Sequence, residues 1–189
     1  DFSADRGLDS AETKALLWDA YRIRPLIDTR ELWREEKQQP DYDPSKLITR
    51  PLRPARVDTI VHTEKGSVHC ICPLTGEQRD LAFQGFEADR NTLKYRCPAA
   101  AYGLDCPRRE RCHQAGGVDP GEYGRIVRIK LEEHDRRIFV PTPHGSPSWQ
   151  RGYNRRSALE RINNRIDRHF GFEQHFIRGL AKMTTRVGL

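Results

Sequence analysis

The hydrophobic pattern of the first 30 residues predicts two short strands on either side of a helix. Residues 2–5 (FSAD) form the end of one predicted strand, and residues 24–28 (RPLID) form the other. Between them, apolar residues recur at helical spacing over 10–22, and Ser10 stands where an N-cap is expected. This β-α-β order favours a partly parallel sheet.

The middle of the chain has a different pattern. Residues 31–54 are polar and contain four prolines, which predicts a linker or arm without a core of its own. Residues 57–62 and 67–72 flank a Glu64-Lys65-Gly66 turn and predict a hairpin. Three further strands are expected at 81–86, 93–96 and 125–131, followed by a return strand at 137–140.

The last third predicts a helix with two distinct faces. At roughly 100° per residue, one arc of about 80° holds polar and aromatic residues, namely Tyr153, Arg156, Glu160, Asn164 and Asp167. A neighbouring arc holds an apolar stripe of the kind that packs on a core, namely Leu159, Ile162, Ile166 and Phe170. Glu160 therefore has two possible interpretations. It is either an acid held rigidly beside the buried apolar stripe or one partner of an ordinary solvent-exposed ion pair.

Composition restricts the class of protein. No stretch approaches the roughly 20 apolar residues of a membrane span, and the first residues lack the pattern of a signal peptide. Residues 151–189 hold nine basic and three acidic side chains, so this segment accounts for the whole net charge of +6. Arginine dominates there, and its guanidinium suits bidentate contact with phosphate. A nucleic-acid backbone is the expected partner, with charge placed for solubility as the alternative. The candidate contacts are Arg151, Arg155, Arg161, Arg165, Arg168 and Lys182.

Five cysteines lie within 43 residues, and three of them precede a proline. Structural zinc requires four nitrogen or sulfur ligands that converge from separate turns. The expected ligands are Cys72, Cys97, Cys106 and Cys112, with Cys70 or His113 in reserve. Reduced thiols without metal are the main alternative, whereas the odd count argues against a disulfide scaffold.

Two acids suggest a second metal site. Asp5 follows a predicted strand and precedes a glycine and a helix, and ligands of open α/β sheets bind beyond such strand ends. An acid there, together with Glu160 on a later helix, could hold Mg²⁺, which prefers oxygen ligands. The sequence therefore predicts that Asp5 and Glu160 approach each other, while Asp9 caps the helix. The alternative is that Asp5 and Asp9 cap a turn and a helix.

Five segments together resemble the C-terminal part of bacterial insertion-sequence DDE transposases, which have an RNase H-like fold. The segments are SADRGLDS, RPLIDTRELWREEK, RIFVPTP, SWQRGYNRRSALERINNRIDRHFGFEQH and IRGLAKM. The family signature is Tyr, two residues, Arg, three residues, Glu, six residues, then Lys or Arg. Tyr153, Arg156 and Glu160 match it in register, whereas the final position is Asp167, with Arg168 one place later.

The resemblance implies a catalytic role for four residues. Asp5 matches the second acid of the triad and Glu160 the third, with Arg156 and Tyr153 positioning the phosphate or Glu160. The first acid belongs on a strand that would precede Asp1, so we expect this chain to be a fragment that is inactive alone. The implied metal is Mg²⁺ or Mn²⁺.

The implied fold is a partial RNase H-like domain of the α/β class. It consists of a β-α-β unit and an acidic C-terminal helix. A small β-rich insertion, which zinc is expected to stabilise, interrupts it. The expected parts are 1–30, a linker at 31–56, the cysteine-rich insertion at 57–132, and 133–189.

The implied activity is cleavage of double-stranded DNA at element ends and joining of the 3′-OH to a target. The full-length protein is expected to be a homodimer in the bacterial cytoplasm, associated with the nucleoid when acting. The alternatives are a non-catalytic, zinc-containing DNA-binding module and an inactive transposase remnant.

Overall fold

The computed structural model describes residues 1–54, 59–72, 75–104, 106 and 124–170. The chain is a mixed α/β protein with several small sheets. Its first strand, β1 (Phe2–Ala4), pairs in parallel with β2 (Pro25–Ile27), so that Ala4 lies opposite Ile27. This confirms the β-α-β unit expected from the sequence.

The connection between these strands contains two helical segments. A 3₁₀ turn (Arg6–Leu8) precedes α1 (Ala11–Ala15), which continues as one π-helical stretch (Leu16–Ala20). The Ser10 hydroxyl accepts a hydrogen bond from the Thr13 N–H at 3.0 Å and caps α1, as predicted. The helix does not bury the face that its apolar residues suggest, because Lys14 is fully buried whereas Leu16 is 57% exposed.

Two antiparallel sheets follow a short helix, α2 (Arg34–Lys37). The first contains β3 (Arg50–Pro51), β4 (Ile60–His62), β5 (Val68–Ile71) and β6 (Gln78–Asp80). The second contains β7 (Ala82–Glu87), β8 (Thr92–Arg96) and β9 (Ile126–Lys130), with α3 (Pro98–Tyr102) after β8. The predicted β4–β5 hairpin and the strands of the second sheet are confirmed. Val57 and Asp58, which the sequence placed in the hairpin, lie outside the described residues.

One hydrophobic core joins both antiparallel sheets. It contains Ile60 and Val68 of the first sheet, Leu93 and Ile129 of the second, and further residues from Trp33 to Phe139. Trp33 and Leu52 come from the polar segment at 31–54, and each is at most 4% exposed. That segment therefore contributes side chains to this core.

The expected return strand at 137–140 is wrong. The N–H groups of Ile138 and Phe139 both donate to the Asp135 carbonyl, at 3.0 and 2.9 Å, and form a turn after a 3₁₀ turn at Leu131–Glu133. The Asp135 carboxylate also accepts from the Arg137 N–H at 2.9 Å, which is the local bond that lets aspartate stabilise turns. Ile138, Phe139 and Val140 are buried without belonging to a strand.

The last helix, α4, spans Pro147–Phe170. The chain divides into two compact units, Asp1–Gly152 and Tyr153–Leu189, so the first turns of α4 belong to the first unit. Within the described residues of the second unit, Ile162 of the predicted apolar stripe is 52% exposed. No helix in the described part of the chain is long and apolar enough to cross a membrane.

Candidate active site

Asp5 lies directly after β1, at the carboxyl end of the two-stranded parallel sheet. Its carboxylate is exposed and accepts a hydrogen bond from the Gly7 N–H at 2.8 Å, so it caps the 3₁₀ turn. The turn-capping alternative for Asp5 is therefore present in the structure. Solvent access and carboxylate oxygens also suit this residue as a ligand for a hard cation.

A second acid, Asp28, occupies the equivalent position on the neighbouring strand. It follows β2 as Asp5 follows β1, since Ala4 and Ile27 are directly paired. The Asp28 carboxylate accepts from Arg6 Nε at 2.9 Å and from the Thr29 N–H at 3.0 Å. Sequence reasoning overlooked Asp28, although its place after the second strand of the β-α-β unit was a usable signal.

Asp9 does not have the role that the sequence suggested. Ser10 caps α1, while the buried Asp9 carboxylate lies 2.7 Å from Lys14 Nζ and accepts from the Arg30 N–H at 2.8 Å. The predicted helix cap at Asp9 is wrong because a hydroxyl one residue later has the better position. The pairing of Asp9 with Lys14, five residues apart, depends on the tertiary fold.

The helix α4 places three candidate residues in contact. Arg156 Nη1 donates to the Tyr153 hydroxyl at 2.9 Å, and Arg156 Nη2 donates to Glu160 Oε1. The Arg156 side chain is 27% exposed and that of Glu160 is 55% exposed. The ordinary i,i+4 ion pair on an exposed helix face, which was the alternative interpretation of Glu160, is therefore present. The same contact orients the Glu160 carboxylate.

Three of the arginines of α4 lie on the side of the helix opposite Glu160. At roughly 100° per residue, Arg151, Arg155 and Arg165 are about 140–180° around the helix from Glu160. All three are exposed, as are Arg161 and Arg168, which flank the two faces. Lys182, the sixth expected DNA contact, lies outside the described residues. Three of the six described arginines of α4 therefore face away from the candidate metal ligand.

The predicted approach of Asp5 to Glu160 spans the two units of the chain, because Asp5 belongs to the first and Glu160 to the second. It stays a prediction. The structure brings Glu160 together with Arg156 and Tyr153, and Asp5 together with the 3₁₀ turn that follows it.

The cysteine site also stays a prediction. Cys70, Cys72, Cys97 and Cys106 are partly buried, whereas Cys112 and His113 lie outside the described residues. Within the described ranges, no group of three or more His, Cys, Asp and Glu side chains is placed to hold a metal ion. Cys72, Cys97 and Cys106 thus do not form a ligand group by themselves.

Two of the thiols lie near one guanidinium. The pKa of Arg79 is raised mainly by its hydrogen bond and charge interaction with Glu77, and to a smaller extent by the nearby Cys106 and Cys70.

Comparison with known protein families matches residues 71–189 to a family model described as Transposase DDE domain. The matched range covers well over half of the chain and includes the cysteine-bearing segment and the Tyr153–Arg156–Glu160 contact. Asp5 precedes it. Neither the curated proteins nor the solved structures include a significant match to this chain.

Proposed function

Because the chain belongs to the Transposase DDE domain family, we propose that it contributes to DNA strand cleavage and transfer by two-metal phosphoryl transfer. Asp5 and Glu160 are the proposed ligands of Mg²⁺ or Mn²⁺. Arg156 and Tyr153 are the proposed residues that orient Glu160 or the reacting phosphate.

The contact between Arg156, Tyr153 and Glu160 is the observation that best supports this proposal. It lies inside the family match, and all three side chains share one face of α4. Charge-assisted hydrogen bonds of this kind hold a carboxylate in one orientation. A metal ligand has to be held in this way if it is to meet the reacting phosphate in a fixed geometry.

The oxygen donors of Asp5 and Glu160 fit hard divalent cations, and both residues are exposed. Such ions would stabilise negative charge on the attacking and leaving oxygens of a phosphodiester. In the proposed reaction, water cleaves the phosphodiester to leave a 3′-OH and a 5′-phosphate. The 3′-OH then attacks a target phosphodiester, gives up its proton and displaces a 3′-oxygen, so one ester bond forms as another breaks.

The exposed arginines of α4 are the proposed contacts to double-stranded DNA at element ends and target. Each Arg–phosphate contact releases bound counterions, so affinity should fall steeply as salt is raised. Since Arg151, Arg155 and Arg165 lie opposite Glu160 on the helix, they would bind backbone phosphates other than the reacting one.

Several finer assignments belong to the same proposal. The β-α-β unit and the Glu160 helix form parts of an RNase H-like domain, and the strands of 57–132 form an inserted module stapled by zinc. The full-length protein acts as a homodimer in the bacterial cytoplasm, on DNA of the nucleoid. The division into 1–30, 31–56, 57–132 and 133–189 is likewise proposed.

A non-catalytic DNA-binding module is the second candidate, and one observation favours it. Glu160 is already engaged by Arg156, and three exposed arginines, Arg151, Arg155 and Arg165, face the other way. A DNA-binding surface on α4 could therefore work without any metal chemistry at Glu160.

Binding to DNA tests the partner assignment. Replacing Arg155, Arg161 and Arg165 by alanine should weaken duplex binding and flatten the plot of log K against log salt by up to about 3 units of slope. The matched control replaces three exposed basic residues elsewhere, Lys46, Arg53 and Arg90, and should change the slope much less. Equal effects of the two triple variants would refute the assignment of DNA binding to α4.

Replacing Glu160 by glutamine separates binding from chemistry. DNA affinity should stay the same or rise, because a negative charge near phosphate is removed. In a protein that carries the complete triad, the same change should abolish strand cleavage. Full cleavage by that variant would exclude Glu160 as a metal ligand and favour the non-catalytic candidate.

A further inference from the structure

A fully buried ion pair lies beneath the loop that carries Asp5. The side chains of Lys14 and Asp9 are both 0% exposed, and Lys14 Nζ lies 2.7 Å from Asp9 Oδ1. Burying two charges costs free energy that apolar side chains of similar size would not cost. This pair therefore calls for an explanation other than stability alone.

The Lys14 ammonium joins three segments that are distant in sequence. It forms the ion pair with Asp9 and donates hydrogen bonds to the Arg137 carbonyl at 3.0 Å and to the Thr29 hydroxyl at 3.4 Å. Thr29 Oγ1 in turn shares a hydrogen bond of 2.9 Å with His144 Nε2, and both residues are buried. We call these side chains, Asp9, Lys14, Thr29 and His144, the Lys14 network.

One end of the Lys14 network holds the Asp5 loop. The Asp9 carboxylate accepts from the Arg30 N–H at 2.8 Å. The Arg30 guanidinium donates to the carbonyls of Arg6 and Gly7, at 2.7 and 3.0 Å. Since the Gly7 N–H donates to Asp5, these bonds fix the turn that orients the Asp5 carboxylate.

The other end holds the segment that leads into α4. His144 lies three residues before Pro147, where α4 begins, and its ring is 4.7 Å from that of Trp149 in the first turn. Burial and the Lys14 charge lower the pKa of His144 to about 3, so the ring is neutral near pH 7. Burial also lowers the pKa of Lys14, while its contact with Asp9 acts in the opposite direction. A neutral His144 adds no second cation to this buried network.

We propose that Lys14 is a positioning residue, which fixes the Asp5 loop relative to the chain that enters α4. The proposal rests on the proposed function, because it assigns Lys14 the task of orienting a metal ligand. An ammonium with one ion pair and two hydrogen bonds to three segments restricts their arrangement more than an apolar contact would.

The test uses a double variant, Asp9→Asn with Lys14→Met, in the whole chain. Lys14→Met alone would leave the Asp9 carboxylate buried and unpaired and could unfold the protein, and the second change removes that charge. The matched control is Lys37→Met, which breaks the ion pairs of Lys37 with Glu31 and Glu64 elsewhere in the same unit.

Hydrogen exchange at individual amides is the first measurement, because it distinguishes positioning from general stability. In the double variant, exchange at the Gly7 and Ile138 amides should accelerate at least threefold, while the melting temperature stays close to that of Lys37→Met. Unchanged exchange at either amide would overturn the proposal.

Binding of Mn²⁺, measured by electron paramagnetic resonance, is the second measurement. The double variant should bind Mn²⁺ at least threefold more weakly than the wild type, and Lys37→Met should bind it as the wild type does. Equal affinity in the double variant would overturn the positioning role. A further outcome is that the wild type binds no Mn²⁺ although amide exchange accelerates in the double variant. In that case the proposed function would be refuted, whereas the role of Lys14 in fixing the Asp5 loop relative to the chain that enters α4 would be supported.

Discussion

Gly66, in the turn between β4 and β5, should tolerate no side chain. Its φ is +77°, and a Cβ added there would lie 2.5 Å from the Ile138 carbonyl oxygen. A left-handed backbone costs an L-residue roughly 1–2 kcal/mol. Overpacking against a neighbour that cannot rotate away adds typically about 1–3 kcal/mol. Gly66→Ala should therefore lower the free energy of unfolding by about 2–5 kcal/mol.

Gly76 provides a matched control, because it has a similar φ of +69° with nothing within 4 Å of an added Cβ. Gly76→Ala should cost only the backbone part, about 1–2 kcal/mol. Urea unfolding followed by circular dichroism would compare the two variants with the wild type. Equal losses of unfolding free energy in both variants would show that the Gly66 turn does not pack against the segment leading to α4.

Two further predictions concern protons and metal. His144 has a pKa of about 3 in the folded chain against 6.5 ordinarily, so only the unfolded chain takes up a proton at this site as the pH falls below 6.5. The free energy of unfolding should drop by up to about 4 kcal/mol between pH 6.5 and 3. Urea unfolding at several pH values should show a smaller drop in His144→Gln. An identical pH dependence in the variant and the wild type would refute the neutral, buried ring. If the cysteine site holds zinc, elemental analysis should find about one zinc per chain, and chelation should loosen β4 to β9 more than α4. Purified protein free of zinc, with every thiol open to titration, would exclude the site.

Elements with local causes could be predicted from the sequence. The β-α-β unit follows from short apolar runs on either side of a capped helix, and Ser10 indeed caps α1. The β4–β5 hairpin follows from a glycine at the position that requires positive φ. The contacts of Arg156 with Tyr153 and Glu160 follow from helical spacing alone.

Features that depend on tertiary packing could not be predicted. Lys14 is polar in the pattern, yet it is fully buried because Asp9, Thr29 and a distant carbonyl surround its ammonium. Residues 138–140 are apolar, as in a buried strand, but they follow a turn in which Asp135 accepts hydrogen bonds from the next N–H groups.

Titration with Mn²⁺ tests the central claim, that Asp5 and Glu160 together hold a divalent metal ion. The comparison is between the wild-type chain, Asp5→Asn, Glu160→Gln and the control Asp89→Asn, which removes an acid whose side chain is 76% exposed. We predict that each of the first two variants binds Mn²⁺ at least tenfold more weakly, about 1.4 kcal/mol, and that Asp89→Asn binds it as the wild type does. Wild-type affinity in either Asp5→Asn or Glu160→Gln would contradict the shared metal site.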